Sequence, residues 1–219
     1  MHEFKGAIFD MDGTLLDSMP VWDRLSQRFL GKYGVTVTDE DYTAIEGTTQ
    51  LQGAQYFIDK YPFLPFDAEG LVRGLDELIE ARYAAIAKPK DGVRPFLDGL
   101  RARGVKMAIA TLTARHHAEK ALRDRDMLDY FAFMLTIEDV GVSKRRPDIY
   151  LRAADKLGLA PADCIVFEDA PYAGETAKNA GFRVCGMAEP AYAAGERVLR
   201  AASDFFVERS FDELAGKLS

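Results

Sequence analysis

Apolar positions along this chain follow two different periods. Short unbroken runs, each ending in an acidic or hydroxyl-bearing turn, read as buried strands. They are Ala7-Ile-Phe9 running into Asp10-Met-Asp12-Gly13-Thr14, Val105–Ala110 into Thr111, Phe133–Thr136 into Glu138-Asp139, and Cys164–Phe167 into Glu168-Asp169. Helical periods follow, such as Ile149/Tyr150/Ala153/Ala154/Leu157 stopped by Gly158 and Ala173/Thr176/Ala177/Ala180 stopped by Gly181. Alternating strands and helices imply parallel crossovers. The expected fold is therefore α/β, a Rossmann-like doubly wound parallel sheet that binds ligands beyond the carboxyl ends of its strands.

From Ser18 to Lys88 the strand signal disappears. Met19/Trp22/Leu25/Phe29/Tyr33 and Leu71/Leu75/Leu78/Ile79/Tyr83/Ile86 place apolar residues at three- and four-residue steps, Thr38-Asp-Glu40 reads as a helix start, and Pro62 and Pro65 interrupt the pattern. The spacing predicts an all-helical insertion over residues 18–88, dividing a sheet domain into residues 1–17 and 89–219. An insertion at that end of a sheet is placed to act as a lid.

Composition narrows the partners. With 48% hydrophobic, 29% charged and 11% aromatic residues, the chain can bury a core, and 28 basic against 35 acidic residues leave a net charge of −7. That balance argues against a nucleic-acid or anionic-membrane partner, which needs a positive field. No run approaches the roughly 20 apolar residues of a membrane span, and no signal-peptide core precedes the first acidic turn. Cys164 and Cys185 sit in apolar runs without a Cys/His cluster, so a cytoplasmic protein with reduced thiols is expected. A monomer is the default expectation, with oligomerisation left open.

The chemistry gathers at the strand ends. Asp10 and Asp12 lie two residues apart, and two carboxylates held together either raise one pKa or need a cation. Magnesium would suit Asp10, Asp169 and a backbone carbonyl, since it takes a few such oxygens and keeps waters or substrate phosphate. Taken alone, the pair reads equally well as a solvated acidic turn.

Phe9-Asp10-Met11-Asp12-Gly13-Thr14-Leu15-Leu16-Asp17-Ser18 resembles the first motif of the haloacid dehalogenase-like hydrolases. Thr111 after Met-Ala-Ile-Ala is similar to the second motif, Lys144 with Pro147-Asp148-Ile149-Tyr150 to the third, and Phe167-Glu168-Asp169-Ala170 with Gly174, Ala177 and Ala180-Gly181 to the fourth. The insertion resembles the four-helix cap of the family's β-phosphoglucomutase and phosphoglycolate-phosphatase branch.

The resemblance implies a phosphatase that hydrolyses a small phosphomonoester, a sugar phosphate or similar metabolite, through an aspartyl-phosphate. Asp10 would be the nucleophile and Asp12 the acid and base. Thr111, the Leu112 N–H and Lys144 would bind the phosphoryl oxygens. Asp10, the Asp12 carbonyl, Glu168 and Asp169 would hold magnesium. Arg145 stands where the family's third motif usually has a proline. A β-phosphoglucomutase-like hexose-phosphate mutase is the alternative, but Trp22 and Gln50 occupy the positions where such mutases carry a cap histidine and arginine. Neither can fix a second phosphate. Trp22, Gly47, Gln50 and Arg115 are the candidate substrate contacts. A dehalogenase would not need Asp12 or magnesium, and a catalytically idle scaffold would not need the full set of catalytic side chains.

Overall fold

The computed structural model describes residues 4–45 and 48–217, so Gly47 lies outside the described residues. The chain divides into two compact units, Ser18–Ala87 and the chain on either side of it. It opens with β1 (Gly6–Phe9) and a two-residue strand, β2 (Leu16–Asp17). The helices α1 (Met19–Trp22), α2 (Leu25–Leu30), α3 (Asp39–Ile45), α4 (Gln50–Lys60) and α5 (Ala68–Ile86) come next. Then follow β3 (Lys88–Pro89), α6 (Val93–Ala102), β4 (Lys106–Ala110), α7 (Arg115–Arg123), β5 (Met134–Leu135), α8 (Ile137–Val140) and α9 (Asp148–Leu157). The last elements are β6 (Cys164–Glu168), α10 (Pro171–Asn179), β7 (Arg183–Met187), α11 (Glu196–Ala202) and β8 (Phe205–Val207).

Six strands form one parallel sheet in the order β5-β4-β1-β6-β7-β8. Counted in chain order within that sheet, this is 3-2-1-4-5-6. The order reverses between β1 and β6, and the ends of those two strands carry Asp10 and Glu168. Both faces of the sheet are covered, which is why the strands read as unbroken apolar runs. On one face Ile8, Ala108, Ala110 and Val166 pack with Ile149, Tyr150, Ala153, Ala154 and Leu157 of α9. The alternate positions give the other face an aromatic cluster, in which Phe9 and Phe167 stack at 4.4 Å and Phe96, Phe131 and Phe211 surround them.

Within Ser18–Ala87 the elements among the described residues are all helical, but the first helix departs from expectation. The apolar steps from Met19 to Tyr33 predict one continuous helix. Instead Arg24 adopts a left-handed backbone (φ 46°) between α1 and α2, and the Arg28 side chain bonds back to the Asp23 carbonyl and carboxylate at 2.9 Å. Trp22 and Leu25 therefore belong to separate helices. Two devices hold the rest. Thr38 and Asp41 cap α3 reciprocally, and Gly74 lets α5 approach Phe29 so closely that an added Cβ would stand 2.2 Å from its ring.

The ribbon of β2 and β3 goes unread in the sequence. Leu16↔Pro89 and Asp17↔Lys88 pair as an antiparallel ribbon, so Lys88 lies in β3 with the sheet unit and not in the insertion. Two-residue strands have no periodicity to detect.

Candidate active site

The strand register builds the site. Phe9 pairs with both Ile109 and Phe167, so the residues that follow them, Asp10, Ala110-Thr111 and Glu168-Asp169, emerge side by side at the carboxyl edge. Beyond Asp12 the chain turns sharply through Gly13 (φ 81°), and Leu15 and Leu16 both donate to the Met11 carbonyl. That turn lets the Thr14 hydroxyl donate to Asp169 Oδ1 at 3.3 Å.

Four charged side chains meet there, each less than a tenth exposed. Asp10, Glu168 and Asp169 present carboxylate oxygens within 4.8 Å of one another, and Lys144 enters from the loop before α9. Its ammonium donates to Asp10 Oδ1 at 2.5 Å and also to Glu168 Oε1, which the Tyr150 hydroxyl approaches at 2.6 Å. Burial would lower the Lys144 pKa, but Asp10 and Glu168 outweigh it and hold the ammonium well above its ordinary range. Burial pushes the Asp10 carboxyl up to about 7, with help from Glu168 and Asp12, against the pull of Lys144. Asp169 is pushed well up too, by burial first and then by Asp10 and Glu168.

One ammonium cannot balance three buried carboxylates. Asp169 Oδ2 is buried and has no hydrogen-bond partner, an exception that demands an explanation in a site this polar. A hard divalent cation is what an orphaned carboxylate oxygen beside two others fits. A second ion pair, Lys90 to Glu189 at 3.0 Å, lies close enough for Glu189 to add to the rise at Asp169.

Thr111 and Asp12 meet through a residue that sequence reading missed. The Thr113 N–H donates to Thr111 Oγ1 at 3.1 Å, and the Thr113 hydroxyl donates to Asp12 Oδ2 at 2.6 Å. Both threonines are buried. Thr113 and Tyr150 thus orient two of the carboxylates. The only signal for them is a hydroxyl two residues after Thr111 and another six after Lys144.

Other candidates have contacts of their own. Arg115 bonds to Asp139 at 2.6 Å and to the Met134 carbonyl at 3.3 Å, sealing the edge of β5, and the structure shows no contact from it to the Asp10 cluster. Within the helical unit, Trp22 packs edge-on against Tyr83 at 5.9 Å, and the Gln50 amide donates to Asp76 at 3.0 Å. No helix among the described residues is long and apolar enough to cross a membrane.

Residues 4–181 match the family model of the haloacid dehalogenase-like hydrolases. The chain is 29% identical over 184 residues to the phosphorylated carbohydrates phosphatase of Thermotoga maritima, covering 84% of this chain and 85% of that one. Over 184 residues it is 30% identical to the fructose-1-phosphate phosphatase YqaB of Escherichia coli, covering 83% and 95%. CbbY of Rhodobacter sphaeroides, solved with phosphate, shares the fold with a TM-score of 0.77 at 23% identity, covering 96% of each chain.

Proposed function

From the premise that this chain belongs to the haloacid dehalogenase-like hydrolases, we propose that it is a magnesium-dependent phosphatase of a small sugar-phosphate-like metabolite, working through an aspartyl-phosphate. One observation carries the reading: a buried carboxylate, Asp10, held by an ammonium at 2.5 Å, beside a second acid whose outer oxygen has no partner. Two relatives named for sugar-phosphate hydrolysis support the substrate class.

Asp10, Glu168, Asp169 and the Asp12 carbonyl would hold the magnesium, which when bound neutralises phosphoryl-oxygen charge that would otherwise repel the Asp10 carboxylate. Lys144 opposes the rise in the Asp10 pKa and orients the ionised carboxylate, so that one of its oxygens attacks phosphorus in line with the departing ester oxygen. As the P–O bond to the ester breaks, Asp12 gives that oxygen its proton. Asp12, now a carboxylate, takes a proton from the water that attacks phosphorus of the aspartyl-phosphate, releasing phosphate and restoring Asp10. The Thr113 hydroxyl holds Asp12 in one orientation for both steps. Because the Thr113 N–H occupies a lone pair of Thr111 Oγ1, the Thr111 hydroxyl is directed to donate, alongside the Leu112 N–H, to phosphoryl oxygen.

Water is the acceptor in this reading because Trp22 and Gln50 offer no fixed cation for a second phosphate. A phosphate-release screen of phosphorylated metabolites with magnesium tests it. Asp10→Asn should cut release by at least about 10³-fold, and activity near the wild-type level overturns the mechanism.

A further inference from the structure

Two loops meet beside the acidic cluster. One carries Lys144 between α8 and α9, and the other carries Asp169 between β6 and α10. Their inner tie is the Lys144 ammonium on Glu168 and Asp10. In the reaction proposed above, that ammonium also faces the charge of the incoming phosphoryl group, so its hold on Glu168 is drawn on at the moment when its position matters most. The Lys144 loop begins after Gly141, which has a left-handed backbone (φ 68°). Hydrogen bonds from Arg145 N to Ser143 Oγ and from Arg146 N to Ser143 O, and the Arg146 pair with Asp148, stay within the same stretch of chain. They shape the loop from within.

An outer contact crosses between the loops. The Arg145 guanidinium lies 4.5 Å from the centre of the Tyr172 ring, well inside the range in which a cation is attracted to an aromatic face. Arg145 is the residue next to Lys144. Tyr172 is in the first turn of α10, three residues beyond Asp169, where Pro171 and the Ala173 and Gly174 N–H groups donating to the Ala170 carbonyl fix the backbone. Each partner is thus a short, constrained stretch of chain away from a residue of the cluster.

We propose that Arg145 and Tyr172 form a clasp that positions Lys144 against Asp10 and Asp169, holding the two loops in register from outside while the ammonium is engaged inside. Both are positioning residues, and the proposal rests on the role given to Lys144 above. It is the face of the ring that meets the guanidinium. Lysine at position 145 can only partly replace a planar guanidinium stacked on that ring.

The test uses the whole chain with magnesium and p-nitrophenyl phosphate or the best ester from the screen. Arg145→Ala and Tyr172→Leu should each lower kcat by about three- to tenfold with KM within about twofold, and the double variant should be no worse than the poorer single. Tyr172→Phe should keep kcat, and Arg145→Lys should fall between. A second readout does not depend on turnover: amide hydrogen exchange at Ser143–Arg146 in the metal-free protein should quicken in Arg145→Ala and Tyr172→Leu and stay unchanged in Tyr172→Phe. Unchanged kcat in both truncations overturns the clasp, and so does a loss in Tyr172→Phe equal to that in Tyr172→Leu. A rise in KM confined to esters with a second anionic group makes Arg145 a substrate contact, and also overturns it. Should the wild type release phosphate from no ester, the phosphatase reading fails, and the exchange measurement alone decides the clasp.

Discussion

Among the described residues, acidic side chains are buried in two places and treated in opposite ways. In the helical unit, Asp41 is fully buried yet saturated: the Thr38 N–H and hydroxyl bond one oxygen, and the Tyr56 hydroxyl and Lys60 ammonium bond the other. Burial alone would raise its pKa, but Lys60, Thr38 and Tyr56 together hold it far below the usual carboxylate range. At the sheet edge Asp10 and Asp169 are pushed upward, and one oxygen of Asp169 has no partner. A saturated buried acid is architecture. An under-satisfied cluster stores an unfavourable charge arrangement that a cation and an anionic ester can relieve.

The contrast can be broken first by removing one charge from each place. Asp10→Asn should cut phosphate release by at least about 10³-fold while leaving the thermal midpoint unchanged or higher, since it relieves like-charge repulsion. Release assays paired with calorimetry check both halves, and a large fall in midpoint would place Asp10 with Asp41 as a structural acid. Asp41→Asn should do the reverse. Losing the charge from this hydrogen-bond network should cost about 2 kcal/mol, roughly a 30-fold shift in the folding equilibrium, measurable by denaturant titration.

A finer probe is Thr113→Val, which removes the hydroxyl that orients Asp12 but keeps the side chain's shape. We expect kcat to fall by about tenfold with little change in KM, the value of one charge-assisted hydrogen bond. Steady-state kinetics read it directly.

The smallest effect is one of pH. Asp10 binds its proton more tightly in the folded chain, with a pKa raised to about 7, than in the unfolded one, so the folded state carries the extra proton between about pH 4 and 7. The metal-free protein should therefore lose stability as pH rises through that window. Metal binding displaces the proton, so magnesium should raise the melting temperature by a few degrees more at pH 7.5 than at pH 5.5. Melting scans with magnesium or a chelator at the two pH values measure the difference.

Much of this was legible in the residues because strand ends are marked by composition. The runs ending at Phe9, Ala110 and Phe167 announce both the sheet and the edge where Asp10, Thr111, Glu168 and Asp169 gather. The Gly158 and Gly181 stops also fall where the sequence puts them, each with a left-handed backbone. What escaped has a common physical cause. Thr113 reaches Asp12 across 101 positions of chain, and Tyr150 reaches Glu168 across 18, so neither contact leaves a periodic trace. The helix break at Arg24 is hidden because the apolar steps continue through it. Arg115 reads as a cation near Thr111, and only the fold shows it committed to Asp139 and the edge of β5.

The ribbon of β2 and β3 has an evolutionary and practical corollary. Chain departs at Asp17 and returns at Lys88, which face each other in one cross-strand pair. Everything between is, topologically, a single hairpin loop. Closing such a loop costs only about 0.6 kcal/mol more for each doubling of its length. Insertions of quite different size and sequence could therefore be exchanged at this junction with little penalty to the sheet, and a chain carrying a short turn in place of residues 18–87 is the natural starting point for grafting new specificities onto an unchanged scaffold.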